Sequence, residues 1–260
     1  MSATKQAKVI KQKVADLLTI YQQDAIHISH IVFSIPGIIN IKDDKYTTFS
    51  STMQKELEIT CSLYNDLNLA LLGENYYQNK VTTKNIAYLR INQGVGAAFI
   101  LNNELYTGHQ FSAGEIGFYE VLLEKENTIT SVPLHKLISI HAILEKKKQN
   151  KIVFDATKNA FDDLLLGIQK QDPWCLNTID KTYCYLENLV MNLCATLDLD
   201  EIIIAGSILQ VIPNVIERLQ QKVDQYPLVK TSIAPPILPY GSIAGGYILG
   251  LQAIMDHIIV

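Results

Sequence analysis

The chain has 260 residues, of which 48% are hydrophobic and 18% charged, and carries a formal net charge of -4. That is enough apolar material for one large domain or two lobes, and the negative balance excludes a basic field that would attract nucleic acid. No apolar run reaches the roughly 18 residues that span a bilayer, and residues 1–21 lack a signal-peptide apolar block, so a cytoplasmic protein without a membrane partner is expected. Cys61, Cys175, Cys184 and Cys194 show no CxxC spacing; reduced, mostly buried thiols are expected, and no metal site.

In chain order, Val9, Val14, Leu17, Leu18 and Tyr21 recur at helical spacing and predict an amphipathic helix over residues 4–23. Residues 28–35 read as a strand stopped by Pro36-Gly37. The polar residues 40–50 predict a loop, residues 52–58 a helix and 60–63 a short strand. Asn65-Asp66-Leu67-Asn68 then precedes the apolar helix pattern of Leu69, Ala70, Leu72 and Tyr76. Two readings of this polar group stand side by side. Asp and Asn are favoured helix N-caps; alternatively, Asp66 lies at the carboxyl end of a strand, where α/β sheets place ligands, and serves as a base toward a substrate hydroxyl.

Residues 86–118 form the most informative stretch. A strand over 86–91 leads into Gln93-Gly94-Val95-Gly96, where glycines let backbone approach a neighbour or ligand closely. Residues 97–101 resume as a strand, Asn102-Asn103 suit the positive φ of a hairpin, and 104–107 return. Ala113-Gly114-Glu115-Ile116-Gly117 then sets one carboxylate between glycines.

Residues 120–131 read as a loop or a reduced strand pair. Short helical patterns follow at 134–144 and 156–168, with Lys146-Lys147-Lys148 between them as a solvated helix end. Residues 172–197 form the longest helical pattern, with Cys184 and Cys194 as small hydrophobes. Ile202–Ile204 form a β-branched strand ending in Ala205-Gly206-Ser207, which again offers open backbone at a strand's carboxyl end. A helix over 211–223, an extended 227–239 and an apolar helix over 241–259 complete the chain. Gly245-Gly246 inside that helix would cost about 1 kcal/mol each against alanine, so a close contact or a hinge is expected there. Strands alternating with helices give an α/β fold class.

Taken together, SIPGIIN (34–40), NDLNLALLGE (65–74), QGVGAAFILNNELYTG (93–108), SAGEIGF (112–118) and LDLDEIIIAGS (197–207) resemble the ROK family of bacterial sugar kinases and sugar-responsive repressors. The resemblance implies the two-lobed actin-like ATPase fold of the ribonuclease H-like class. Residues 1–84 would form the first lobe, 85–244 the second, and helix 245–260 would pack back on the first, with a sugar cleft between the lobes. By resemblance, Asp66 matches the kinases' general base and Asn65 its sugar-binding neighbour. Gly37 and Glu115 complete the implied sugar-binding set. Gly94 and Gly96 match the second phosphate-binding turn, and Gly206 the adenosine-side turn.

The departures from that family are equally specific. No Asp-x-Gly-x-Thr-like phosphate hairpin precedes Ser34, so the fold's N-terminal strands are expected to be missing or truncated. Asn92-Gln93-Gly94 replaces the usual Gly-Thr-Gly, Phe118 replaces the histidine of GEIGH, and residues 120–135 stand in place of a cysteine-rich zinc loop. Zinc is therefore not expected, and ATP with Mg²⁺ only if kinase activity is retained. The expected function is the sugar-sensing, oligomerising domain of a ROK-type regulator, paired as a homodimer and binding no DNA through this chain alone. An ATP-dependent sugar kinase using Asp66 is the alternative, and a non-catalytic pseudoenzyme subunit the second.

Overall fold

The computed structural model describes residues 3–20, 28–38, 44–78, 85–125, 128–227 and 230–258. Two compact units are present. The first comprises Met1–Asn79, Thr107–Ser112 and Leu238–Val260, and the second Lys80–Tyr106 and Ala113–Ile237.

In the first unit β1 (His30–Ile35) and β2 (Thr60–Asn65) pair in parallel, Ile35 opposite Asn65. Strand alternation sends Ile31 and Phe33 toward α1 (Ala3–Ile20) and α2 (Asp44–Leu57), where Ala7, Met53, Leu57 and Cys61 form a small core. Val32 points the other way, onto α10 (Gly241–Ile258). That helix lies along α3 (Asp66–Gln78) with almost no side-chain layer between them. A Cβ on Gly73 would sit 2.4 Å from the Gly241 carbonyl oxygen, and one on Gly245 would sit 1.9 Å from that of Leu69. Gly245 thus marks a close contact, not a hinge. The fully buried Glu74 fixes the entry to α10 by accepting the Leu238 amide at 2.9 Å.

Helix α2 corrects the sequence reading, which began a helix only at Thr52. Phe49, Met53 and Leu57 lie four residues apart, and the Phe49 ring meets Phe33 edge-on at 5.7 Å. Polar Thr47, Thr48, Ser50 and Ser51 hide that stripe in the sequence. Residues 21–23 and 40–43 of the expected helix and loop lie outside the described residues.

The second unit is built on a mixed sheet of order β5-β4-β3-β8-β9. β3 (Ile86–Ile91), β8 (Glu201–Ala205) and β9 (Ser232–Ala234) run parallel, whereas β4 (Val95–Leu101) and β5 (Glu104–Tyr106) return antiparallel. β8 is buried along its whole length, as expected of a parallel strand covered on both faces. Asn102 and Asn103 take φ of 53° and 66° and make the expected hairpin turn. Gly96 lies inside β4 opposite Arg90, not in the preceding turn. Strands β6 (Glu120–Lys125) and β7 (Thr128–Pro133) pair antiparallel, with Val121, Leu123 and Val132 packed on the core.

Short α4 (His135–Ile138), α5 (Ile140–Gln149) and α6 (Ala160–Gln169) lead to α7 (Pro173–Leu197), which Asp172 caps through the amides of Trp174 and Cys175. Cys175 and Cys194 are buried on α7, but Cys184 is exposed, contrary to its reading as a small hydrophobe. The single helix expected over 211–223 is α8 (Ile208–Val211) and α9 (Val215–Asp224), parted at Pro213 and at Asn214, whose φ is 51°. Arg218 of α9 stacks on the Tyr183 ring of α7, 3.7 Å from its centroid. Among the described residues no helix is long and apolar enough to cross a membrane.

The lysine run is not uniformly solvated, because Lys147 is buried and paired with Asp163. Asp163 also accepts the amides of Phe154 (3.0 Å) and Asp155 (2.5 Å). Burial pushes its pKa up, but hydrogen bonds from Lys147 and those amides outweigh burial and hold it below the usual range. Asp163→Ala strands the Lys147 ammonium and is expected to lower unfolding free energy by about 3–5 kcal/mol in urea titrations. In the parent protein this stabilisation is present above the unfolded aspartate value of about 3.9 and is lost as pH falls through the lower folded value.

Candidate functional site

In the first unit, the matched ends of β1 and β2 bring Gly37, Asn65 and Asp66 together. Asn65 is the N-cap of α3: its Oδ1 accepts the amides of Leu67 (2.9 Å) and Asn68 (3.0 Å). Its Nδ2 donates to the Gly37 carbonyl at 2.8 Å and so ties the β1 turn to the helix start. Gly37 is exposed at φ +89°, and a Cβ there would meet nothing within 4 Å. Capping by Asn65 leaves Asp66 as the first helical residue, half-buried. The arrangement presents a carboxylate and an open turn at the carboxyl end of a parallel pair, suited to orienting a hydroxyl.

In the second unit, the turns after β3 and β8 meet through Asn92. Its Oδ1 accepts the Ser207 amide at 2.6 Å, its amide donates to Gly94 at 2.9 Å, and its carbonyl accepts the Ile140 amide at 2.8 Å. Gly206, at φ +102°, makes this approach possible, since a Cβ there would stand 2.4 Å from the Ile91 carbonyl oxygen. Gly94 carries no such constraint: nothing lies within 4 Å of where its Cβ would be. Gln93 beside it is exposed.

Glu115 is held by a tight backbone contact between its own loop and β4. The Gly114 carbonyl accepts the Ala97 amide at 2.7 Å, and a Cβ on Gly114, at φ +97°, would sit 2.0 Å from the Ala97 carbonyl oxygen. Buried Ile116 and Gly117 follow in a short 3-10 turn over Ile116–Phe118, where a Gly117 Cβ would be 2.7 Å from the Val95 carbonyl oxygen. The Glu115 carboxyl is half-buried, burial raises its pKa, and no hydrogen bond reaches it among the described residues. Phe118 is exposed and meets the His135 ring edge-on at 5.5 Å, while His135 Nδ1 donates to the Gly117 carbonyl at 2.8 Å.

These segments fall within a stretch, residues 1–243, that matches the model of the ROK family. The chain belongs to the ROK family. It is 27% identical to the xylose repressor of Lactiplantibacillus pentosus over 88% of its own length and 63% of the repressor's. With the glucokinase of Halalkalibacterium halodurans it shares 23% identity, covering 77% of this chain and 66% of that enzyme. The chain thus spans slightly less than two thirds of both relatives. Among solved structures, a ROK family transcriptional regulator, a homologue of the E. coli MLC protein, superposes with a TM-score of 0.76 at 17% identity. That superposition covers 96% of this chain and 69% of the regulator, and the fold is the actin-like ATPase fold of ROK proteins.

The ROK resemblance raises zinc as a possible resident ion, and the residues present do not fit one. Phe118 offers no ligand, β6 and β7 have no cysteine, and among the described residues no group of three or more His, Cys, Asp or Glu side chains could hold a metal. Sequence reasoning named Asn92 only as a departure from the family's turn and did not single out Glu74. Each acts through a hydrogen bond to a remote segment, 115 and 164 residues away in sequence.

The glycine geometry separates two substitutions by thermal or urea unfolding. Gly114→Ala forces a carbon against the Ala97 carbonyl in a left-handed backbone and should cost more than about 2 kcal/mol, whereas Gly94→Ala should change stability by less than about 0.5 kcal/mol. Asn65→Ala, which removes the α3 cap and the Gly37 tie, should cost about 1 kcal/mol in the first unit.

Proposed function

We propose that this chain is the sugar-sensing, oligomerising domain of a ROK-type transcriptional regulator, without kinase activity. The observation that carries the reading is the closure of the second unit's two glycine turns on each other. Asn92 Oδ1 occupies the Ser207 amide, and Gln93 stands where the resemblance places a phosphate-facing threonine. Phosphoryl transfer depends on backbone and hydroxyl donors aimed at the nucleotide's phosphates, and these positions supply fewer of them. The sugar-facing residues are kept: Asp66 beside its cap Asn65, and Glu115 with no protein donor on its carboxyl among the described residues. The similarity to a xylose repressor supports the same direction. In this reading the chain is a homodimer, takes a small sugar as ligand and binds no DNA by itself.

A charge-assisted hydrogen bond from a sugar hydroxyl to a carboxylate is worth about 1.5–3 kcal/mol. Glu115→Gln should therefore weaken the binding of the best hexose or pentose by about tenfold or more in calorimetry. Because burial raises the Glu115 pKa, the carboxylate is lost earlier than usual as pH falls, so affinity in the parent protein should start to drop at a higher pH than an ordinary glutamate would give, and the drop should be absent in Glu115→Gln. No stabilisation by any sugar at about 10 mM would favour a pseudoenzyme subunit instead.

The second reading, a sugar kinase with Asp66 as general base, draws on the glucokinase relative and on the position of Asp66 at the α3 N-terminus. A coupled assay decides between them. The regulator reading expects no nucleotide-dependent sugar phosphorylation, and turnover that disappears in Asp66→Asn would overturn it.

A further inference from the structure

Helix α10 is apolar on both its inner and its outer side. Gly245 and the buried Ile248 lie on the inner side, whereas Ile243, Tyr247, Leu251 and Met255 recur every fourth residue and are all exposed, Ile243 at 69%. A helix that is hydrophobic all round is normally covered all round. Beside this stripe runs β1, whose one strand partner among the described residues is β2. None of the six residues of β1 is buried, although the parallel β8 of the second unit is buried throughout. Between strand and helix lies a groove of about 460 Å³, walled by His30, Val32 and Ser34 of β1 and by Ile243, Tyr247 and Leu251 of α10.

The chemistry of this face selects its cover. Groove and stripe contain no Asp, Glu, Lys or Arg, and β1 lacks the Lys or Pro by which a permanently free edge strand is usually protected. On a chain of net charge -4, a neutral patch is where two copies meet without like-charge repulsion. A strand edge is also self-complementary, since antiparallel pairing with its own copy matches N–H to C=O about a twofold axis. With 18 residues α10 is about 27 Å long, and with the adjoining strand edge the patch is roughly 20 Å wide, on the order of 500 Å² per partner. Two such faces bury about 1,000 Å², the lower limit for a specific interface.

We propose that this face is a homodimer interface, in which β1 pairs antiparallel with β1 of a second copy into a continuous sheet of order β2-β1-β1-β2, and Ile243, Tyr247 and Leu251 of each α10 close over the junction. The inference rests on the proposed reading only in taking the chain as a homodimer, and it names the surface used. An interface of this size gives a dimer that dissociates in about the micromolar range.

Sedimentation equilibrium of the full chain from about 1 to 200 μM should therefore show monomer passing into dimer. Ile243→Lys and Tyr247→Lys, both at exposed positions, should leave the circular dichroism spectrum unchanged and each weaken dimerisation by at least about tenfold, because the twofold places every introduced charge in the interface twice. Amide hydrogen exchange over His30–Ile35 should slow with rising concentration in the parent chain and not in either variant. A chain that is monomeric at about 200 μM overturns the proposal. So does exchange over β1 that is slow at every concentration, which would mean that another part of the same chain covers the edge. A dimer that neither lysine weakens overturns this surface and leaves the homodimer of the proposed reading standing, whereas calorimetry with sugars tests the ligand of that reading alone.

Discussion

Asn92 is the point on which the second unit's functional edge depends. One residue accepts at its side chain from the turn after β8, accepts at its carbonyl from the start of α5, and closes its own turn through Gly94. Strand ends in an α/β sheet are free to splay unless something joins them, because the ladder of hydrogen bonds stops where the strands stop. Here an amide side chain performs the joining, and Gly206 supplies the space for it. The same contact that rigidifies the edge also occupies the Ser207 backbone amide.

The sheet of the second unit was readable because its signals are local and strong. Ile202, Ile203 and Ile204 in succession can belong only to a strand covered on both faces or to a buried helix, and their brevity favours the strand. Asn102-Asn103 announces its turn by residue type alone. The misreadings have a common origin in tertiary context. Helix α2 has apolar residues only at every fourth position among Ser and Thr, a stripe that becomes visible once Phe33 and Cys61 face it. Lys147 looks like its neighbours until Asp163 and Phe154 close over it from a segment further on. Gly96 reads as part of a turn because glycine is rare in strands, yet it pairs with Arg90 inside one.

The site was legible to the level of segments and less so to the level of roles. The sequence left open whether the Asn-Asp pair caps a helix or faces a ligand, and the structure divides the duties: Asn65 caps, and Asp66 heads the helix. Glycines in the Glu115 loop allow its close approach to β4, so the loop's backbone is committed to holding Glu115 in place. Residue type could not reveal that Gly94 has room for a side chain and Gly114 has none. That difference lies in the neighbouring chain, and no periodicity encodes it.

The close seating of α10 on α3 has a consequence for how the molecule is made. The partners of this contact stand far apart in the chain, Gly73 and Glu74 near one end and Leu238 to Gly245 near the other, with the whole of the second unit encoded between them. During synthesis α3 leaves the ribosome long before its covering helix exists, and the Glu74 carboxylate must stay hydrated until Leu238 arrives. The second unit, contiguous apart from one short excursion, can complete its core first. The first unit is therefore the later one to mature, and its bare α3 face is the surface that a nascent chain has to shield.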